Sequence, residues 1–354
     1  MLNHFSFLAI RFVRLAMCAL ALSASIAHAA PAPESDLPPT ASTAEQQRFQ
    51  PAIVYLYSKD GADRSFIDAA LAGVKKAAGE YQLKIPEFRM NSQENITAVL
   101  KRAADSGANP IIALGYQNVM PVLNIAERYP NTHFTVIDGL VPPLYPNVQS
   151  ILFKDHEGAF LVGLIAGKTA KSGHVGFIGG MDVPLIRNFA HGYAQGVRYA
   201  NPSAEIDTEM VGTTPEAWSD PDKAHALAVA QFNKGAEVIF AAAGGSGVGV
   251  LKAASETKKL AIGVDINQNG LFPHHVLTSL VKRVDVAVYN ALRTSRDGKW
   301  SAGIKYLGIT EGALDYAIDQ HNRDLLPMKV IEDVAMAKER IINGIIVVEA
   351  YAPK

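Results

Sequence analysis

Asp138 and Asp265 are the residues of this chain best placed for chemistry, because each closes a buried apolar stretch, HFTVID and LAIGVD, that reads as a β-strand. In a parallel α/β sheet the carboxyl ends of the strands open onto a crevice, so the two carboxylates either face a ligand there or cap the turn that follows. A carboxylate only accepts hydrogen bonds, which suits ring N–H groups and sugar hydroxyls. Trp218 lies in TTPEAWSDPDK, a polar stretch ahead of a helix, where a large aromatic needs a surface to pack on. Gly244-Gly245-Ser246-Gly247-Val248-Gly249 follows the strand EVIFAAA, and Asp265 stands twenty residues beyond Gly245, as a dinucleotide fingerprint would want. The fingerprint fails, since GxGxxG from Gly245 or Gly247 needs glycine where Val250 and Lys252 stand. The stretch reads instead as a helix amino terminus that offers backbone N–H groups to a ligand, or as a plain tight turn.

Catalytic patterns do not assemble. HEGAF at 156–160 begins like a zinc-protease motif but ends in Phe160, so no histidine pair forms. His274 and His275 are adjacent and read as surface or loop residues, and GGSGVG is not the G-x-S-x-G elbow of a hydrolase. No catalytic residue, metal or cofactor is therefore expected. Phe66 opens a helix on its apolar side and by itself reads as core packing. Lys282 reads as a charge at a helix start, where a cation opposes the helix dipole and requires an acid or a ligand to compensate it.

These residues are carried by an alternation of apolar β-rich runs and helical patterns from Pro51 onward. AIVYLY, PIIALG, HFTVID, AEVIFAAAG and LAIGVDIN read as strands; SFIDAALAGVKKAAGEY, NVMPVLNIAERY and GVGVLKAASETKK read as helices. Between them FKDHEGAFLVGLIAGKTAKSGHVGFIGGMDVPLIRNFAHGYAQGVRYANP, 153–202, reads as a strand end, a small-residue helix, a buried strand ending in Gly179-Gly180 and a helix opening at Pro184. Such spacing argues for βαβ units, a parallel sheet and right-handed crossovers. About ten strands are too many for one open sheet in 354 residues, so two α/β lobes are expected. Residues 51–156 with about 281–303 would form lobe one, and 157–280 with about 304–350 lobe two. Three crossings between lobes make a hinge.

The composition, 49% hydrophobic and 19% charged, is that of an ordinary globular chain. The amino terminus differs. Arg11 and Arg14 precede the apolar run LAMCALALSASIA and then Ala27-His28-Ala29, the layout of a secretory signal peptide over 1–29. Cleavage there leaves 31 basic against 34 acidic residues, a net charge of −3, and no cysteine. Cys18 follows Met17 near the start of the apolar run, which disfavours a lipid anchor. Residues 30–50, rich in Pro, Ala, Ser and Thr, are expected to be a disordered leader. With near-neutral charge and no long basic run, nucleic acid is not an expected partner.

Six segments, in order and suitably spaced, resemble the BMP (basic membrane protein, PnrA-like) family of ABC-transporter substrate-binding proteins. They are DRSF at 63–66, RYPNTHFTVID at 128–138, FKDHEGAFLVGLIAG at 153–167, GHVGFIGGMDVPLIRNFAHGYAQGV at 173–197, IGVDINQ at 262–268 and LTSLVKRVDVAVY at 277–289. The resemblance implies a type I periplasmic-binding-protein fold, with each lobe a parallel sheet flanked by helices. It further implies a periplasmic monomer that captures a purine nucleoside or nucleobase and delivers it to an ABC permease.

In that family picture the flat base is clamped between two aromatic rings, one from each lobe, while acids and a lysine hold its polar edge and the ribose. The rings carry over to Phe66 and Trp218, the acids to Asp138 and Asp265, and the lysine to Lys282. One position departs: nucleoside-binding relatives have an aspartate nine residues before the first phenylalanine, and here that position is Tyr57, with Asp60 or Asp63 reachable only through a gap. A free base or another flat heterocycle such as a flavin is the alternative ligand. A sensing receptor that presents its ligand to a signalling partner is the alternative role.

Overall fold

The computed structural model describes residues 49–56, 64–90 and 95–353, so the signal-peptide expectation, the leader up to 48, Tyr57, Asp60 and Asp63 lie outside the described residues. The leader, expected to be disordered through 50, ends earlier, because Gln50 already bridges Asn109 through two backbone hydrogen bonds. The chain runs β1 (Ala52–Leu56), α1 (Arg64–Tyr81), β2 (Glu87–Met90), α2 (Ile96–Asp105), β3 (Ile111–Leu114), α3 (Val119–Ala126), β4 (Phe134–Ile137) and β5 (Val148–Phe153). It continues through α4 (Asp155–Thr169), β6 (His174–Met181), α5 (Pro184–Ala200), β7 (Glu205–Gly212), α6 (Pro221–Lys234), β8 (Val238–Ala242), α7 (Gly247–Thr257), β9 (Leu260–Asp265) and β10 (Val276–Lys282). Last come α8 (Val284–Arg296), β11 (Gly303–Leu307), β12 (Leu314–Tyr316) and α9 (Met328–Ile342).

Two six-stranded sheets result, in the orders β11-β5-β4-β3-β1-β2 and β12-β10-β9-β8-β6-β7. All pairings are parallel except that of β10 with β12. The inner strands IIAL, FTVI and VIFAA are buried along their whole length, as parallel strands covered on both faces must be. Short local signals set the helix ends. Asn95 accepts from Thr97 N to open α2, Asp220 accepts from Lys223 N ahead of Pro221 to open α6, and Gly235 in left-handed backbone closes α6.

The chain changes sheet after Phe153, Lys282 and Leu307, against expected boundaries near 156, 281 and 303. Each crossing is pinned. Lys154 N donates to Leu307 O, Glu157, buried in the first turn of α4, accepts from Ile309 N at 2.9 Å, and Arg283 N donates to Ala313 O at 2.9 Å. Helix α4 then packs along α5 with the two backbones in close approach, which glycine permits. A methyl on Gly163 would strike the Tyr193 carbonyl and one on Gly196 the Phe160 carbonyl. One apolar cluster runs from Ile53 and Ile112 in the first sheet through Phe160 and Leu164 to Phe177 and Phe240 in the second, so the crossovers are embedded in core.

Candidate ligand-binding site

Lys282 is the last residue of β10, where the chain leaves the second sheet for α8, which packs on α1. Its side chain is 2% exposed, and Nζ reaches Asp138 Oδ2 at 2.5 Å and Asp155 Oδ1 at 3.0 Å. Asp138 follows β4 of the first sheet, and Asp155 opens α4 just past the first crossover. Asp265, the end of β9, accepts from Ser65 Oγ of α1 at 3.1 Å, a bond that joins the two lobes. The ammonium also lies 4.6, 5.4 and 5.8 Å from the ring centroids of Phe153, Phe189 and Phe66. A cation over ring faces is favoured by the ring quadrupole.

Asp138 and Asp265 share an uncommon backbone, with φ of 58° and 68°. Left-handed conformation costs an L-residue energy, least for Asn and Asp, and such residues concentrate where function fixes the chain. The two acids occupy equivalent places at the carboxyl ends of inner strands in the two sheets. Both are buried, at 6% and 9% exposure, which a solvated turn cap would not be.

The charges are unevenly settled. Burial pushes the Asp155 carboxyl up to about 8, opposed by Lys282 and assisted by Asp138, so at neutral pH it is mostly the neutral acid. Burial raises Asp265 as well, with Lys282 pulling the other way. For Lys282, burial alone would depress the ammonium, but Asp138, Asp155 and Asp265 together hold it above the usual lysine range. Asp138 Oδ1 and both Asp155 oxygens lack a hydrogen-bond partner among the described residues; Asp155 Oδ1 sits near Nζ but out of alignment. An unsatisfied buried polar atom costs about 1–3 kcal/mol, so these oxygens are poised for a further partner.

The aromatic candidates flank this cluster. Phe66, in the first turn of α1, is half-buried beside Lys282. Trp218 ends a 3₁₀ turn, Pro215–Trp218, and its ring packs against Gly180, where a methyl would collide with it. That turn is held from Ser246, whose Oγ donates to Ala217 O at 2.8 Å and accepts from Asp220 N at 2.7 Å. Gly245 is buried in the 3₁₀ turn Gly244–Ser246 that leads into α7, and this turn contacts α1 of the first lobe. Phe66 and Trp218 share no ring contact among the described residues. The ring that meets Trp218 is Tyr116, at 6.5 Å between centroids and 50° between planes.

The structure thus brings Asp138, Asp265, Lys282 and Phe66 to one place and sets Trp218 and Gly245 on the second lobe facing elements of the first. Lys282 is buried rather than solvated: the acid demanded by its place at a helix start is Asp138, with the mostly neutral Asp155 beside it. Sequence reasoning passed over Asp155, although an acid at the head of an otherwise apolar helix was a usable signal. It also missed Tyr116, which follows Gly115 at the end of β3; Gly115 has φ of 92°, and the Tyr116 hydroxyl reaches Met181 Sδ at 2.8 Å across the lobes. Burial raises the Tyr116 phenol, so it stays neutral.

Two parallel-dominated lobes joined by three crossovers, with polar groups from both lobes at the crossing, define a type I solute-binding protein. The family described as ABC transporter substrate-binding protein PnrA-like matches residues 51–351, and the chain belongs to it. Basic membrane protein A1 of Borrelia garinii subspecies bavariensis is 29% identical over 296 residues, covering 81% of this chain and 84% of that protein. An uncharacterized lipoprotein of Pyrococcus horikoshii is 29% identical over 315 residues, covering 82% and 78%. Among solved structures, an ABC transporter solute-binding protein from Aeropyrum pernix superposes with a TM-score of 0.75 at 27% identity, over 84% of this chain and 93% of its own.

Proposed function

We propose that this protein is the extracytoplasmic receptor of an ABC importer and that it captures a purine nucleoside or free purine base between its lobes. The observation that carries the reading is the Lys282 cluster. One buried ammonium and three aspartates converge from both lobes beside the Phe66 ring, and Asp138 Oδ1 and both Asp155 oxygens lack a hydrogen-bond partner among the described residues. A flat heterocycle with N–H donors and vicinal hydroxyls matches that set. The rings stack on its faces, Asp138 and Asp265 accept from its donors, and the neutral Asp155 can donate as well as accept.

Ligand that touches both lobes favours the state in which Ser65 reaches Asp265, by no more than its difference in affinity for the two states. The loaded form then docks on a permease, and the protein itself catalyses nothing. The signal-peptide layout of residues 1–29 supports a periplasmic location, and a relative described as a lipoprotein fits export. A monomer suffices, since both halves of the site come from one chain.

Calorimetry of the purified protein against adenosine, inosine, guanosine, their free bases, riboflavin, arabinose and NADH tests the reading. Purine binding that Asp265→Asn weakens more for nucleosides than for bases supports it and assigns that acid to the ribose. Silence from every purine alongside a response to another class overturns the substrate assignment.

A further inference from the structure

At the far end of the second sheet a second polar cluster stands apart from the crevice. β7 is the outer strand and pairs in parallel with β6, with His174 opposite Glu205 and Gly176 opposite Asp207. Side chains two residues apart on a strand share a face, so His174, Glu205 and Asp207 project from the same side. One ligating atom of each lies within 4.8 Å of the other two, and His174 Nε2 to Asp207 Oδ2 is 3.2 Å. Around a tetrahedral zinc with bonds of about 2.0–2.2 Å, neighbouring donor atoms sit about 3.3–3.6 Å apart, so that edge is within about 0.1 Å of the required spacing.

Charge and surroundings point the same way. The imidazole is buried, Asp207 is half-buried and Glu205 is exposed, which leaves an open side for water to complete the coordination. Glu209, the next acid on this face, is matched by Lys234 at 3.5 Å. Asp207 has only His174 as an ion-pair partner among the described residues, and Glu205 has none. Helix α6 ends here, and its last carbonyls carry the negative end of the helix dipole, which favours a cation. Its closing Gly235 leaves room for the ring, since a methyl there would stand 3.2 Å from His174 Nδ1. One nitrogen and two oxygen donors suit zinc or a similar transition ion better than calcium or magnesium, which take oxygen alone.

We propose that His174, Glu205 and Asp207 form a binding site for a divalent transition cation of the zinc type, which staples the outer strand β7 to β6. The site lies at the start of β6, seven residues from Met181 at its other end, or about 23 Å at strand rise. It therefore stabilises the second lobe without touching the ligand crevice.

The test is calorimetry and thermal melting of the chelator-treated full chain with ZnCl₂, with MgCl₂ as control. The expected result is a single tight zinc equivalent that raises the melting temperature, with no response to magnesium. Both His174→Ala and Glu205→Gln should bind it at least about tenfold more weakly. Glu205 is exposed, so Glu205→Gln should melt like the parent when metal-free, which keeps the test independent of any folding defect in His174→Ala. No zinc response at molar excess, or zinc binding undiminished in Glu205→Gln and His174→Ala, overturns the proposal.

Discussion

Replacing Lys282 with methionine isolates the interaction on which the buried cluster at the crossovers depends. The substitution keeps an unbranched side chain, one atom shorter, and removes the cation that faces Asp138 and Asp155 among the described residues, at 2.5 and 3.0 Å, in a site where the lysine is 2% exposed. Removing one partner of a buried ion pair typically costs about 3–5 kcal/mol, because the charge left behind has lost both water and counterion. Against a usual total of about 5–15 kcal/mol, that loss is large enough to read by urea unfolding. Asp138→Asn in the Lys282→Met background removes the orphaned charge as well, so the double variant should recover about 1–3 kcal/mol relative to the sum of the single losses. Asp155, already mostly neutral, should recover less when changed to Asn in the same background. Additive losses for Lys282 and Asp138, within about 0.5 kcal/mol, would refute the claim that the pair acts as a unit.

The raised Asp155 carboxyl makes stability depend on pH in a stated direction. Its folded value of about 8 lies above the unfolded one near 3.8, so its contribution is fully present below about pH 4 and is lost as pH rises through about 8. Asp155→Asn should flatten the decline of unfolding free energy across that window, by at most about 1.4 kcal/mol per pH unit, and parallel profiles would show that the group does not titrate there. At the rings, stacking is worth about 1–3 kcal/mol each, so Phe66→Ala and Trp218→Ala should each weaken the ligand found by calorimetry by about 5- to 150-fold. Unchanged affinity in both would dismiss the clamp.

Much of this was legible before any coordinates. The alternation of apolar runs and helical patterns marks a parallel α/β protein because strand and helix periodicities are local, and HFTVID and LAIGVD announce where strands end. Shorter or more polar elements did not declare themselves: β2 is only four residues, EFRM, and β7 is half-exposed, EIDTEMVG, because an outer strand needs no continuous apolar run. Phe66 and Lys282 read by themselves as packing and as a solvated charge, and only the family resemblance singled them out.

The sequence by itself determined most of the elements, their order and the acids that close the inner strands, since each depends on neighbours a few residues away. Tertiary structure alone decided what those residues do to one another. Lys282 and Asp138 are 144 positions apart, and Ser65 and Asp265 are 200 apart. Such pairs meet only because three crossovers bring the two sheets together. The shifts of Asp155 and Lys282 follow from that meeting, because burial and opposing charge are properties of the assembled site and have no counterpart in the local chain.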